Sequence, residues 1–231
     1  MKIVLIHGQN HKGSSYHIGR MAADKISAEK EITEFFLPKD LNHFCFGCYK
    51  CLDGDENCPF YDEKKVIMSA VEAADLLIFT TPTYCMRASA PMKSLIDLTF
   101  TYWMVHRPRA CMFTKKALVV STAAGQGAKN AVADIANALF YMGVPQIKTY
   151  GTAVQAMNWD MVKPKKKARI EKDISKIAKK LSDPRKPAVG IKTRFIFGMM
   201  RMMQKGGMGS SAAEREYWQE KGWTKGKRPW G

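Results

Sequence analysis

The sequence predicts an α/β protein: a doubly wound parallel sheet of five strands with helices on both faces. Two observations carry that expectation. Short runs rich in branched apolar residues alternate with longer stretches of helical period along the body of the chain, and this order favours parallel strands joined by right-handed helical crossovers. The runs are nearly continuous in apolar residues instead of alternating, as befits strands buried on both sides.

The elements follow in order. Residues 2–7 form the first strand, which breaks at Gly8 into a polar loop over residues 9–15. Ser14 or Ser15 stands where a helix cap belongs, and Ile18, Met21, Ala22 and Ile26 then recur at helical spacing. Residues 32–37 make a second strand ended by Pro38, and a cysteine-rich loop fills residues 39–60. A helix over residues 61–73 is expected to turn Val66, Ala70 and Ala73 to one face, and Pro82 ends a third strand over residues 76–80. Residues 90–102 are helical in pattern, 117–121 a fourth strand, 128–141 a helix and 144–149 a fifth strand. Ile170, Ile174, Ile177 and Leu181 define a last helix over residues 164–181, with lysines opposite. Asp183, Pro184 and Pro187 break it, which divides the chain into a body of residues 1–183 and an extension of residues 184–231.

Charge is distributed unevenly. The net charge is +16; residues 160–231 hold 20 lysines and arginines against 7 acids, while residues 1–159 hold 17 against 14. A near-neutral body carrying a basic appendage indicates a docking arm or a weak contact with anionic lipid, not a nucleic-acid-binding fold surface. No run approaches the ~18 consecutive apolar residues of a spanning helix. The first residues lack the apolar stretch and small-residue cleavage site of a secretory leader, so reduced thiols in a cytoplasm are expected.

Ligands of open parallel sheets bind beyond the carboxyl ends of the strands, which singles out three loops. The first, residues 8–17, offers a glycine that permits close backbone approach, the hydroxyls of Ser14 and Ser15 and free N–H groups at a helix N-terminus, an anion cradle that suits a phosphate monoester. It is neither a Walker A loop nor a GxGxxG turn, and a plain polar strand-to-helix turn is its simpler reading. The second loop carries Pro82, Thr83, Tyr84, Cys85 and Met86, flat or polarizable groups that suit an aromatic ring. In the third, Ala124 and Gly125 allow close backbone approach, and Gln126 both donates and accepts. Each of these also has an ordinary role as rim packing or a tight turn.

At these loops the chain resembles the flavodoxin-like family of NAD(P)H-dependent FMN reductases. The resemblance spans about residues 1–152 and rests on the first-loop segment from Gly8 to Tyr16, on Pro82-Thr83-Tyr84, and on Lys93-Ser94-Leu95-Ile96-Asp97. It departs at Gln9, Asn10, His11 and Tyr16, positions where the family often has Ser, Pro, Arg and Thr. The resemblance implies a sheet of order 2-1-3-4-5. It also implies FMN with its phosphate on the first loop, contacted by His11, Ser14, Ser15 and the N–H groups of Tyr16 and His17 with Gln9 alongside, and its ring between the second and third loops. NAD(P)H as hydride donor and a quinone, flavin or other small acceptor are implied with it. A homodimer or tetramer completing the flavin face is expected on the same ground. No acid–base dyad is then required, because the cofactor carries the chemistry.

Cys45, Cys48, Cys51 and Cys58 form a C-x2-C-x2-C-x6-C motif. Iron–sulfur flavoproteins of the same fold carry such a motif after the second strand, which makes a [4Fe–4S] electron carrier the alternative reading. Plain FMN reductases share a similar segment, and free thiols in a structural or dimer-lining role are the reading preferred here. Structural zinc prefers two separated cysteine pairs. Cys85 and Cys111 have no partner at ligand spacing and are expected as small buried hydrophobes. In the extension, Phe195, Ile196, Phe197, Met199, Met200, Met202 and Met203 form an apolar cluster among Lys192, Arg194, Arg201 and Lys205, with Trp218 and Trp223 downstream. Docking on a partner subunit is preferred to membrane contact for this arm. A non-redox adaptor docking through it is a further alternative.

Overall fold

The computed structural model describes residues 1–209 and 211–230. Six strands and seven helices run in the order β1 (Lys2–His7), α1 (Ser14–Asp24), β2 (Glu31–Phe36), α2 (Tyr61–Ala73), β3 (Leu76–Tyr84), β4 (Arg87–Ala88), α3 (Ala90–Leu98), β5 (Lys116–Ala123), α4 (Ala128–Tyr141), β6 (Gln146–Ala153), α5 (Pro164–Leu181), α6 (Ile191–Lys205) and α7 (Ala212–Glu220). Five strands pair in parallel in the order β2-β1-β3-β5-β6. This is the expected 2-1-3-4-5 order once the sixth strand is set aside. That strand, β4, is two residues long and pairs antiparallel with the end of β3.

Burial explains the run composition. Apart from exposed Lys2, β1 is buried throughout, as is the whole of β5, whereas the edge strands β2 and β6 are half-exposed. One face of the sheet packs Val4, Ile6, Leu77 and Val119 against α2, α3 and α4. The other packs Ile3, Leu5, Ile78 and Val120 against Ile18 and Ala22 of α1 and Ile170, Ile174 and Leu181 of α5. At the start of β5, adjacent lysines serve opposite faces. Lys115 Nζ donates to the carbonyls of Glu72 (2.7 Å) and Ala74 (2.5 Å) at the end of α2. Lys116 Nζ donates to Leu181 and Asp183 carbonyls past the end of α5. Both helix ends thereby gain donors for their orphan carbonyls.

Three expectations are corrected. The strand expected to end at Pro82 runs on to Tyr84, because its ladder with β5 continues through the pairing of Pro82 with Thr122. The buried face of α2 is Lys64, Ile67, Met68 and Val71, while Val66 is exposed; the larger side chains at i, i+3, i+4 and i+7 outweigh the small alanines, and a lysine occupies one position of that stripe. The helix expected over residues 90–102 ends at Leu98, and a 3₁₀ turn, Phe100–Tyr102, continues it.

The extension, in which positions 210 and 231 lie outside the described residues, folds back on the body. Phe197, Trp218 and Trp223 form a third apolar cluster with Met104, Phe113 and Val189. Trp218 Nε1 donates to the His106 carbonyl (2.6 Å), and the Tyr217 hydroxyl donates to the Pro108 carbonyl (2.7 Å).

Candidate active site

The three loops converge at the carboxyl ends of β1, β3 and β5. The first is tied to the second: the Gly8 N–H donates to the Thr80 carbonyl (2.7 Å) and the Ser89 hydroxyl donates to the Gly8 carbonyl (2.6 Å). A Cβ on Gly8 would lie 2.6 Å from the Ser89 oxygen, so the close approach requires glycine. The second loop is tied to the third. Thr83 and Ser121 share a hydrogen bond of 2.9 Å, and Gly127, at φ +92°, would bring a Cβ within 2.8 Å of the Thr83 methyl and 2.9 Å of Met86 Cα. Past β6, the Gln155 N–H donates to the Ala124 carbonyl (3.2 Å).

The first loop is built to receive acceptors. Gly13 is the N-cap of α1 with no side-chain cap, and the His17 N–H is bonded to the Gly13 carbonyl (3.1 Å); the N–H groups of the preceding turn project past the helix end. Ser14 and Ser15 are buried, and the Ser15 hydroxyl and the Gln9 side-chain oxygen have no hydrogen-bond partner among the described residues. His11 is exposed, and Tyr16 and His17 are half-buried. Burial lowers the pKa of His17, against the opposing pull of Asp160, so the imidazole is neutral at pH 7. Arg20 is engaged with Glu34 (2.6 Å) and Asp24 (3.1 Å). The positive character of this loop at neutral pH thus comes from helix N–H groups and from Lys12, which lies over the Tyr16 ring (5.5 Å).

The second loop is a two-residue hairpin turn. Tyr84 pairs with Arg87 across it, and both turn residues, Cys85 (φ 47°) and Met86 (φ 67°), are left-handed without being glycine. Such turns favour Asn-Gly, so this one holds backbone strain beside the site. Tyr84, Cys85 and Met86 are exposed, which corrects the expectation that Cys85 is a buried hydrophobe; Cys111 is half-buried. Pro82 and Thr83 are half-buried, and Ala124, Gly125 and Gln126 are exposed at the third loop. Asp134 of α4 holds the hairpin through Arg87 (2.5 Å) and the Ala88 N–H (3.2 Å).

Thr81, Ser89 and Gly127 lie in the predicted loops without being singled out by the sequence, and Trp159 lies outside them. Ser89 stands at the N-cap of α3, makes no side-chain cap and turns its hydroxyl to Gly8. Trp159 stacks on His17 (5.5 Å, 20°) and flanks the first loop.

The cysteine loop lies beside α2 and α3. Cys45, Cys48, Cys51 and Cys58 line one cavity of about 350 Å³ with aromatic walls that include Phe46, Tyr49, Phe60 and Trp103. Cys51 and Cys58 are buried, Cys45 is half-buried and Cys48 exposed, and all six cysteines of the chain are unpaired. No three His, Cys, Asp or Glu side chains among the described residues converge on a single-ion site. Two buried donors adjoin these thiols without an acceptor: Lys64 Nζ and Trp103 Nε1. Burial pushes the Cys51 thiol up, and the Lys64 charge opposes that rise. Arg107 fastens the loop by donating to the Cys51 and Leu52 carbonyls and to Asp55 (2.9 Å), and the Ser211 hydroxyl of the extension donates to the Leu52 carbonyl (2.9 Å).

A doubly wound sheet with an uncapped helix and three joined loops at its carboxyl edge defines a flavodoxin-like protein with a mononucleotide-type site. The profile of one such family, described as NADPH-dependent FMN reductase, matches residues 1–158, and the chain belongs to that family. It is similar to an iron-sulfur flavoprotein of Methanocaldococcus jannaschii, 33% identical over 100 residues that cover 42% of this chain and 51% of that one. An iron-sulfur flavoprotein of Archaeoglobus fulgidus is 29% identical over 98 residues, covering 42% and 48%. The chain spans about half the length of the curated relatives it matches. Among solved structures, an FMN-dependent NADH-azoreductase from Bacillus anthracis in complex with FMN has the same fold, with a TM-score of 0.57 at 12% identity over 79% of this chain and 100% of that one.

Proposed function

We propose that this protein is an FMN-dependent oxidoreductase that takes a hydride from NAD(P)H and delivers electrons to a small acceptor such as a quinone or a flavin. The observation that carries the reading is the first loop: an uncapped helix N-terminus with the buried Ser15 hydroxyl left without a partner among the described residues. A buried hydroxyl without a partner destabilises the protein by about 1–3 kcal/mol, and a phosphate there gives it an acceptor. The three joined loops fit the rest of FMN. Gly127 packs closely against Thr83 and Met86, which fixes the second and third loops side by side, and Ala124, Gly125 and Gln126 of the third loop are exposed.

Bound FMN supplies hydride acceptance and electron transfer. In this reading the chain does the remaining work. Ser14, Ser15 and the first-turn N–H groups of α1 hold the phosphate with Lys12 nearby, while His11 and the half-buried Tyr16 and His17 border it. Pro82, Thr83, Tyr84, Cys85 and Met86 orient one side of the ring, and Ala124, Gly125 and Gln126 present backbone and amide groups to the other. The exposed Tyr84 and Met86 support a homodimer or tetramer in which a second subunit covers the flavin face. The unpaired cysteines support a cytoplasmic location, and no helix among the described residues is long and apolar enough to cross a membrane. We take residues 1–183 as the FMN-binding body and 184–231 as an appended arm.

The test is spectroscopic. Purified protein is expected to show flavin bands that NADH or NADPH bleaches anaerobically. Flavin that neither nucleotide bleaches overturns hydride transfer, and failure to bind added FMN overturns the reading as a whole.

A specific observation supports a second reading, an added [4Fe–4S] centre. The four cysteines share one cavity beside two orphaned donors, which suits an anionic, sulfur-rich group held by Cys45, Cys48, Cys51 and Cys58. Assay of iron and acid-labile sulfide after anaerobic purification decides it. Their absence leaves thiols alone.

A further inference from the structure

Helix α6 presents an apolar face that its own fold leaves uncovered. Thr193, Phe197 and Gln204 point inward and are buried, and Ile196 and Met200 pack beside them. The opposite face is formed by Ile191, Phe195, Met199 and Met202, spaced by four, four and three residues, with exposures of 87%, 67%, 40% and 65%. At about 100° per residue these four fall on one stripe. Lys192 lies along one side, and Arg194, Arg201 and Lys205 lie along the other. The helix contains no acidic residue. Lys192, Arg194 and Lys205 are exposed, although Lys192 Nζ lies over the Phe140 ring (4.9 Å) and Arg194 Nε donates to the Val189 carbonyl (3.0 Å); Arg201 donates to the Lys227 carbonyl (2.9 Å).

We propose that this face of α6 docks on an anionic lipid surface, with Phe195 and its apolar neighbours entering the headgroup boundary and the flanking cations facing the phosphates. Charge decides the occupant. A second copy of the chain docked face to face through α6 would set these cations against their own duplicates, because a two-fold interface pairs a patch with itself, and like charges so placed oppose association. The surrounding extension has the same sign: residues 184–231 carry 11 basic against 3 acidic side chains, those of α6 included. A narrow apolar stripe with a cationic rim on a helix about 22 Å long has the form of a helix that lies in the membrane interface. The inward face, locked by Phe197, Trp218 and Trp223, keeps α6 attached to the body while its outer face is engaged.

The experiment is flotation of the full chain with vesicles of phosphatidylglycerol and phosphatidylcholine, compared with pure phosphatidylcholine. Binding is expected to the anionic vesicles only and to weaken with salt. Phe195→Ser combined with Met202→Ser is expected to lower partitioning at least about tenfold, and Lys192→Gln with Lys205→Gln roughly fivefold for each cation removed. Both sets alter exposed side chains, and unchanged fluorescence of buried Trp218 and Trp223 verifies the fold. Lys172→Gln with Lys176→Gln, on the exposed face of α5, serves as the control and is expected to matter less. The proposal is overturned if the full chain stays unbound, or if the double serine variant binds as well as the parent. It is equally overturned if the α5 set removes more binding than the α6 set. Binding to polyglutamate without vesicle binding would assign the face to an acidic protein. A fall in oligomer mass on serine substitution, again without vesicle binding, would assign it to a second copy.

Discussion

Ser15 and Lys64 are two of the residues with a buried polar atom that finds no partner among the described residues. The Ser15 hydroxyl, 1% exposed, has no partner among the described residues, so its removal and the binding of phosphate should report opposite signs. Ser15→Ala is expected to leave the flavin-free protein as stable or up to about 1–3 kcal/mol more stable in urea. The same change should weaken FMN binding roughly tenfold or more, since hydrogen bonds to charged groups contribute about 1.5–3 kcal/mol; fluorescence titration with FMN measures it. Lys64 occupies a core position of α2 beside Cys51, and its ammonium has no acceptor. Lys64→Met keeps the packing and removes the buried charge. We expect the protein without bound groups to gain about 1–3 kcal/mol, read from the urea midpoint at constant m. A loss would show that the cavity supplies Lys64 with an anion.

Among the elements, the β3–β4 hairpin is where local conformation and site meet. Cys85 and Met86 both hold positive φ in its turn, a conformation that opposes an L side chain by roughly 1–2 kcal/mol per residue. Met86→Gly should therefore stabilise the protein by about 1 kcal/mol in urea while weakening FMN binding, because the side chain beside the ring is lost. A stability gain with unchanged affinity would move Met86 off the ring. The strain persists because Asp134 grips Arg87 and Ala88 from α4 and Gly127 packs against the turn. Helix α6 shows the complementary case, an element stable on one face and uncovered on the other.

The whole molecule couples its body to the extension through charge. Asp55 of the cysteine loop is gripped by Arg107 and Arg109, and Arg109 lies over the rings of Tyr102 (4.5 Å) and Tyr217 (5.6 Å). Burial would raise the Asp55 carboxyl, but Arg109, Thr101 and Arg107 together bring it below its ordinary 3.8. His7 is shifted the other way relative to its charged form. Burial lowers it from 6.5, and the hydrogen bond that His7 Nε2 donates to the Glu34 carboxylate only partly opposes this. The two signs give two acid stages. A histidine lowered in the fold leaves the unfolded chain binding more protons, so stability falls as pH drops below about 6.5. A depressed carboxylate contributes above 3.8 and loses that contribution as pH falls further. Urea unfolding at several pH values should show both losses, and His7→Asn should shrink the first, leaving the share of His17, which burial also lowers, while the second is kept; a flat profile between neutral pH and about 5 would refute the buried neutral imidazole.

The order of strands and helices, the break at Gly8 and the cysteine spacing were legible in the sequence, because each depends on local period or on a residue type that few conformations accept. The partners of Ser89, Gly127 and Trp159 were not, since their roles arise from contacts between loops far apart in the chain. The same holds for α2: spacing alone placed Val66 on the buried face, whereas packing against β1, β3 and the cysteine loop chose Lys64, Ile67 and Met68. The extension divides likewise. Its charge and apolar content were written in the sequence, but only tertiary structure decided which side of α6 faces Trp218 and which is left to solvent. By itself the sequence determined the fold, which follows from period and hydrophobicity summed over many residues. Only the tertiary structure decided which polar groups stand buried without partners, because that depends on where distant side chains run out of acceptors.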